Sequence, residues 1–273
     1  MKQLITTFIF LFAVFFLQSQ TLLEGGKLDL SNSQNFQKAF KIQGEAEFYW
    51  HQLLEPSDFP LESDVNKRFV NIPHVWNDYQ LDSYTRLKPR GYGTYRFSVT
   101  VPKDKNQLSI KIPTIGTSAI FYVNGKKLIE IGKVGKSESA YEAMYAPQII
   151  DLPHDTNHFE FIIQVSNYDF SVAGLWDPIV FGQEQSLRES HKRNIFWDFF
   201  LLGALFISAI YFLALYFLKP DSIWHVYFAI ACLLAALNIS ASDEFVLSYV
   251  PGISFSILIK SQIISFYAGV GVL

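Results

Sequence analysis

Five side chains with ligand-binding chemistry lie on turn-rich segments of the chain: Trp76, Arg90, Tyr92, Tyr168 and Trp176. Aromatic faces and an arginine on rigidly held loops suit a saccharide or another small polar ligand. The planar guanidinium can donate two parallel hydrogen bonds to one oxygen-bearing group. The alternative is packing in the core or rim of a β-sandwich, which the two tryptophans favour most. The residues therefore predict a small polar ligand, with a saccharide as the first candidate.

Motifs for catalysis are missing from the sequence. It holds no G-x-S-x-G, no H-E-x-x-H, no P-loop and no G-x-G-x-x-G that opens a helix. His154 and His158 lie in a turn pattern, and Glu45 and Glu47 share one face of a predicted strand, where carboxylates are usually just solvated. We therefore expect no enzyme activity in this chain, no cofactor and no metal. The net charge of −3 also argues against a nucleic-acid partner.

The charges divide the chain into two parts. Residues 21–193 hold 19 Lys and Arg and 21 Asp and Glu, whereas residues 194–273 hold only Lys219, Lys260 and four acidic residues. The first part is typical of a segment in water and the second of a segment in hydrocarbon.

The N-terminus has the pattern of an exported protein. Lys2 precedes an uncharged, Phe-rich run from Leu4 to Leu17, and Gln18-Ser19-Gln20 follows. This pattern predicts a secretory signal peptide over residues 1–20, with an uncleaved N-terminal anchor as the alternative. Either interpretation places residues 21–193 outside the cytoplasm.

Short strand-like runs fill residues 21–182. They are rich in Phe, Tyr, Ile and Val, and several alternate apolar with polar residues. Asn124-Gly125 suits a tight type I′ hairpin turn. The pattern predicts an all-β sandwich or jelly roll. The predicted strands are Ala39–Trp50, Arg68–Ile72, Thr94–Val101, Leu108–Ile112, Ala119–Val123, Lys126–Ile131, Gln148–Leu152, His158–Val165 and Pro178–Phe181.

The C-terminal part predicts a membrane region. Three apolar runs over residues 199–218, 222–240 and 253–273 have lengths that suit membrane-spanning helices. Residues 183–198 form either a junction helix or a solvated linker. The signal peptide places Lys219 in the cytoplasm, although Arg188, Lys192 and Arg193 lie outside, against the positive-inside trend. Because the last run reaches residue 273 without a polar boundary, we expect a fragment or a truncated product.

Three polar side chains fall in or beside these runs: Asp198, His225 and Lys260. Charged groups in hydrocarbon are costly unless they are paired, so each is a functional candidate. Lys260 lies deepest by its position in the run, whereas Asp198 lies close to the boundary.

Several short motifs resemble one family when they are taken in order. Five segments resemble parts of galactose-binding-like jelly rolls: Asn71–Trp76, Gly91–Arg96, Val123–Lys126, Val165–Asn167 and Gly174–Trp176. Two apolar segments resemble the first pair of membrane spans of the same family: Tyr211–Lys219 and Trp224–Ile230. This order resembles the bacterial seven-transmembrane receptors with diverse intracellular signalling modules. The remaining spans and every intracellular module of that family are missing from this chain.

The resemblance implies a multi-pass cell-membrane receptor with its N-terminal domain on the periplasmic or extracellular side. A ligand would act through the membrane helices on a missing intracellular module of kinase, cyclase or phosphatase type. Implied partners are the lipid bilayer, that signalling module and a second copy in a homo-oligomer. The alternative is a membrane-anchored carbohydrate-active or adhesion protein whose jelly roll is an accessory binding domain.

Overall fold

The computed structural model describes residues 22–32, 39–59, 67–80, 86–103, 105–145, 147–220, 222–242, 247 and 253–272. The predicted signal peptide over residues 1–20 lies outside the described residues. The strands are β1 Lys27–Asp29, β2 Phe40–Lys41, β3 Gly44–Trp50, β4 Arg68–Ile72, β5 Gly91–Thr100, β6 Leu108–Ile112, β7 Ser118–Val123, β8 Lys126–Ile131, β9 Gln148–Asp151, β10 His158–Asn167 and β11 Val180–Gln183. The helices are α1 Glu184–Leu218, α2 Trp224–Ser240 and α3 Phe255–Val272.

The strands form two sheets over the described part of the chain. The larger sheet has the order β4-β3-β5-β10-β7-β8, with the short β1 added in parallel to β5. The smaller sheet has the order β2-β11-β6-β9. All named pairings other than that of β1 with β5 are antiparallel. The prediction of a mainly β region is confirmed.

The two sheets enclose one hydrophobic core. Phe159 of the larger sheet packs edge-to-face on Phe181 of the smaller sheet, with 5.9 Å between the ring centroids. Phe97 and Phe161 stack on neighbouring strands of the larger sheet at 5.1 Å, and Ile110 of the smaller sheet is fully buried. Because inward-facing residues of both sheets meet in this layer, the region is sandwich-like.

The long antiparallel pair β5–β10 is the centre of the larger sheet. It is in register from His158 opposite Thr100 to Asn167 opposite Gly91. The start of β5 and the end of β10 therefore lie at the same end of the sandwich, as do the residues that immediately precede β5 and follow β10.

Helix α1 continues directly from the sandwich. β11 ends at Gln183, and α1 begins at Glu184, whose N–H donates to the Gln107 carbonyl at 3.0 Å. Arg188 donates from Nη2 to both Asp151 carboxylate oxygens of β9, at 2.8 and 2.9 Å. The predicted junction segment and the first apolar run thus form one helix of 35 residues.

The helices expose large apolar side chains. Phe217 and Leu218 are about 80% exposed, and many other Phe, Ile and Trp side chains of α1 are exposed as well. By length and composition, α1 is the helix in the described part of the chain that could cross a membrane, and the apolar helices α2 and α3 are shorter. Three membrane spans therefore stay a prediction.

Candidate functional site

The β5–β10 register brings three of the five predicted ligand residues to one end of the sandwich. Tyr92 is opposite Ser166, and Gly91 is opposite Asn167. Arg90 immediately precedes this paired end of β5, and Tyr168 immediately follows the paired end of β10. Strand pairing thus joins residues that lie more than seventy positions apart in the sequence.

A stack of three rings extends beside these residues. His51 lies between Trp50 and Tyr92, with centroid distances of 4.6 and 5.1 Å and interplanar angles of 20° and 27°. The His51 backbone N–H donates to the Tyr92 carbonyl at 2.9 Å, and the positive φ of 57° at His51 turns the chain after β3. His51 is exposed and the other two rings are partly exposed, so the stack reaches the surface.

Gly91 makes room for this stack. Its φ is +152°, and a Cβ atom there would lie 2.6 Å from Cη2 of Trp50. Only glycine allows the backbone to run so close under the indole ring.

A charged pair and a second pair of rings complete the surface. Arg90 Nη1 lies 3.9 Å from Glu138 Oε2, and both side chains are about two-thirds exposed. Tyr141 packs edge-to-face on Tyr168 at 5.3 Å. Burial, and then the charge of Tyr92, raise the pKa of Tyr168, whereas burial chiefly raises the pKa of Tyr141 to about 12. Both phenols are therefore neutral hydrogen-bonding groups at physiological pH.

We call this set of exposed and partly exposed side chains the end surface. Its members are His51, Arg90, Tyr92, Glu138 and Tyr168. His51 and Glu138 were not predicted as ligand residues from the sequence. The position of Trp50-His51 at the end of a predicted strand was the available signal for His51, whereas nothing in the sequence marks Glu138.

Trp76 does not reach the surface, which corrects its assignment as a ligand residue. It is fully buried, and its ring packs edge-to-face on Trp50 at 5.1 Å. Its Nε1–H donates to the carbonyls of Lys88 and Pro89, at 3.1 and 3.2 Å. Trp76 therefore positions the segment that carries Arg90.

Trp176 lies away from the end surface. It contacts Phe170 at 5.8 Å and Tyr145 at 6.3 Å between ring centroids, and its Nε1 lies 3.4 Å from Thr114 Oγ1. It lines a cavity of about 910 Å³ between the sandwich and the helices, together with Asp198 of α1. The structure thus separates Trp176 from Arg90, Tyr92 and Tyr168.

The polar residues of the apolar runs take three different environments. Asp198 is partly buried at the cavity that Trp176 also lines. His225 lies in the first turn of α2, with Nδ1 3.1 Å from the Ser222 carbonyl oxygen. Lys260 is exposed on α3, and the expectation that it lies deepest in the apolar run stays a prediction. Its place in the apolar run did not reveal which face of the helix it occupies.

A second polar cluster lies on the outer face of the larger sheet. Arg96 donates from Nε and Nη2 to Glu160 Oε1, at 2.9 and 2.6 Å, and its Nη1 lies 3.3 Å from Glu47 Oε2. Lys67 Nζ lies 3.7 Å from the other oxygen of Glu47. The two cations match the two carboxylates, as in a structural ion network that ties three neighbouring strands.

The chain was compared with protein-family models, curated proteins and solved structures. No family model matches the chain, and no curated protein matches it. Among similar solved structures are a β-glucuronidase from an uncultured Clostridium species (15% identity, TM-score 0.40, 54% of this chain and 29% of that chain). Also similar is a Faecalibacterium prausnitzii β-glucuronidase, with 13% sequence identity and a TM-score of 0.41, over 53% of this chain and 31% of that chain. A putative β-galactosidase from Bacteroides fragilis has 19% identity and a TM-score of 0.36, over 53% of this chain and 23% of that chain. The chain spans less than a third of the length of these proteins.

These comparisons correct two predictions. The similar structures are β-glucuronidases and other glycosidases rather than signalling receptors, which contradicts the receptor function. The prediction that this chain is not an enzyme is contradicted on the same finding, which includes a glycosidase with a covalently bound inhibitor. The resemblance to the seven-transmembrane family is untested and stays a prediction.

Proposed function

We propose that this chain is part of a carbohydrate-active protein held at a membrane, and that its β-sandwich binds a saccharide at the end surface. The observation that carries the proposal is the exposed ring stack of His51 and Tyr92 beside the Arg90–Glu138 pair. Tyr92, the outer ring of the stack, can present an aromatic face of fixed orientation, and the ion pair supplies hydrogen-bond donors and acceptors. A saccharide matches both features, because its ring has an apolar face and its hydroxyl groups can bond the ion pair.

The shared support of the end surface favours binding over packing alone. Trp50 and Gly91 hold the ring stack, and Trp76 holds the carbonyls of Lys88 and Pro89 next to Arg90. The exposed members therefore stand on buried and partly buried residues of the sandwich. Such preorganisation lowers the entropic cost of ordering side chains on binding.

The finer fold and the membrane arrangement belong to the same proposal. The sandwich is of the galactose-binding-like jelly-roll type, and α1, α2 and α3 lie in the membrane with the sandwich on the outer side. The exposed Phe and Leu side chains of α1 support this arrangement, because such a surface is unfavourable in water. A periplasmic reporter fused after Gln185 should be active, and a cytoplasmic reporter should be active after Lys219. The opposite pattern contradicts the orientation.

The binding proposal is tested with the full chain in detergent on a broad saccharide panel, followed by calorimetry. The variant is Arg90→Ala, and the matched control is Arg86→Ala, since Arg86 is also exposed and faces Asp78 at 3.6 Å. Loss of charge-assisted hydrogen bonds should weaken the best saccharide about tenfold to a hundredfold in the first variant. The control should bind as the wild type does.

Two results count against the end surface. If no saccharide in the panel binds the folded wild-type chain, the proposed function fails. If a saccharide binds but Arg90→Ala and Tyr92→Ala leave its affinity unchanged, the binding site lies elsewhere on the molecule.

A further inference from the structure

A cavity of about 740 Å³ opens between the sandwich, the start of α1 and the start of α3. Its volume is in the range of small-molecule sites. Tyr145 of the sandwich and Phe255 of α3 meet edge-to-face at 4.7 Å beside it. We call this cavity the junction cleft, and the described residues that carry its chemistry are Glu142, Met144, Arg188, His191, Lys192 and Leu258.

The cleft is amphiphilic along the axis of α1. Arg188, His191 and Lys192 lie on one face of α1, because residues three and four apart are neighbours on a helix. The apolar part of α1 begins at Ile195, less than one turn beyond Lys192. Met144 is 46% exposed there, although it is a large apolar side chain. The cleft therefore joins a polar rim to an apolar floor at the level where α1 turns apolar.

The charges in the cleft are balanced rather than positive. Arg188 is already engaged by both oxygens of Asp151, at 2.8 and 2.9 Å, and by Glu184 at 2.8 Å. Lys192 is then the cation available to a ligand, and Glu142 supplies an exposed carboxylate on the opposite wall. A purely anionic ligand would meet the unfavourable field of Glu142, Asp151 and Glu184. A ligand with one phosphate and one ammonium group would match both walls.

We propose that the junction cleft binds a zwitterionic phospholipid with a primary amine, that is, a phosphatidylethanolamine. Its phosphate lies toward Lys192, its ammonium group toward Glu142, and its acyl chains along Met144 and the apolar start of α3. Three N–H donors of an ammonium group can bond a carboxylate, whereas the quaternary group of a phosphatidylcholine has none. This inference rests on the proposal that the helices lie in a membrane.

The test uses the full chain in nanodiscs made of equal parts phosphatidylethanolamine, phosphatidylcholine and phosphatidylglycerol. Native mass spectrometry identifies the lipids that the released protein retains. The wild type should retain phosphatidylethanolamine in preference to the other two. Lys192→Gln and Glu142→Gln should each reduce that preference about 1.5-fold to fivefold, as expected for exposed ion pairs. The matched control is Arg193→Gln, since Arg193 neighbours Lys192 in the sequence but does not line the cleft.

The outcomes separate this inference from the membrane proposal. A chain that fails to float with lipid vesicles contradicts the membrane arrangement and this inference with it. A chain that floats but retains no preferred lipid, or prefers phosphatidylglycerol, overturns the cleft assignment alone. An equal loss of preference in the Arg193→Gln control also overturns it, because the effect would then follow net charge rather than the cleft. The wild-type lipid comparison needs no variant, so the test stands even if a substitution impairs folding.

Discussion

Trp76 supports the end surface from inside the core, and its replacement should separate stability from direct ligand contact. The side chain is fully buried, packs on Trp50 at 5.1 Å and on Phe48 at 6.5 Å, and donates its Nε1–H to two carbonyls. Truncation of a buried Trp to Ala costs about 3–5 kcal/mol. For a domain of this size each kcal/mol lowers the melting temperature by about 2–4 °C, so we expect a fall of roughly 6–20 °C.

The more conservative Trp76→Phe keeps most of the ring but removes the N–H donor. The carbonyls of Lys88 and Pro89 then lose a shared partner, at a cost of about 1–3 kcal/mol. Arg90→Ala should change stability by less than about 0.5 kcal/mol, because its side chain is mostly exposed. The assay is thermal unfolding followed by the β-sheet circular dichroism signal, with saccharide affinity measured well below the transition.

The predicted order of melting temperatures is wild type and Arg90→Ala together, then Trp76→Phe, then Trp76→Ala. The predicted order of affinity differs, because Arg90→Ala should lose the most at full stability. If Trp76→Ala melts within about 2 °C of the wild type and abolishes saccharide binding, Trp76 is a surface contact and its assigned burial is refuted.

Three further predictions concern the supports of the fold. Gly91→Ala should destabilise the sandwich by about 2–5 kcal/mol, because the contact with Trp50 adds about 1–3 kcal/mol to the strain of the positive φ. Gly25→Ala also has a positive φ but open space around it, and should cost only about 1 kcal/mol; equal losses in the two melting curves would contradict the contact. Arg188→Ala should speed amide hydrogen exchange in the first turns of α1, because the hydrogen bonds to Asp151 and Glu184 are lost. Unchanged exchange would show that these hydrogen bonds do not stabilise the start of the helix. The free energy of unfolding should fall as pH rises from about 10 toward 12, because burial chiefly raises the pKa of Tyr141 to about 12 in the folded state. The unfolded state then loses the Tyr141 proton at a lower pH than the folded state does. A denaturation midpoint that stays constant over this range would contradict the prediction.

Local patterns in the sequence were sufficient to predict most of the strands. The Asn124-Gly125 turn has positive φ at both residues, 48° and 80°, and joins β7 to β8 as predicted. The predicted strand Ala39–Trp50 instead splits, because Gly44 adopts a φ of +116° and the chain passes from the smaller sheet to the larger one. β1 was missed, since three residues in parallel pairing leave too short a pattern to recognise.

The candidate site depended on information that a single sequence does not carry. Arg90, Tyr92 and Tyr168 had the right residue types, but only the β5–β10 register places them side by side. Aromatic residue type alone does not separate a buried support such as Trp76 from a surface ring such as Tyr92, because both follow turn signals. Lys260 shows the same limit in the helices, where depth along the run does not give the face.

The most direct test of the proposed saccharide site is a crystal or cryo-electron microscopy structure of the chain with the tightest saccharide from the panel. The proposed saccharide site predicts a sugar ring against Tyr92, the outer ring of the stack, with hydroxyl oxygens within hydrogen-bond distance of Arg90 and Glu138. A sugar bound at the Glu47–Arg96–Glu160 cluster, or in the cavity that Trp176 lines, with the end surface bare, would contradict it.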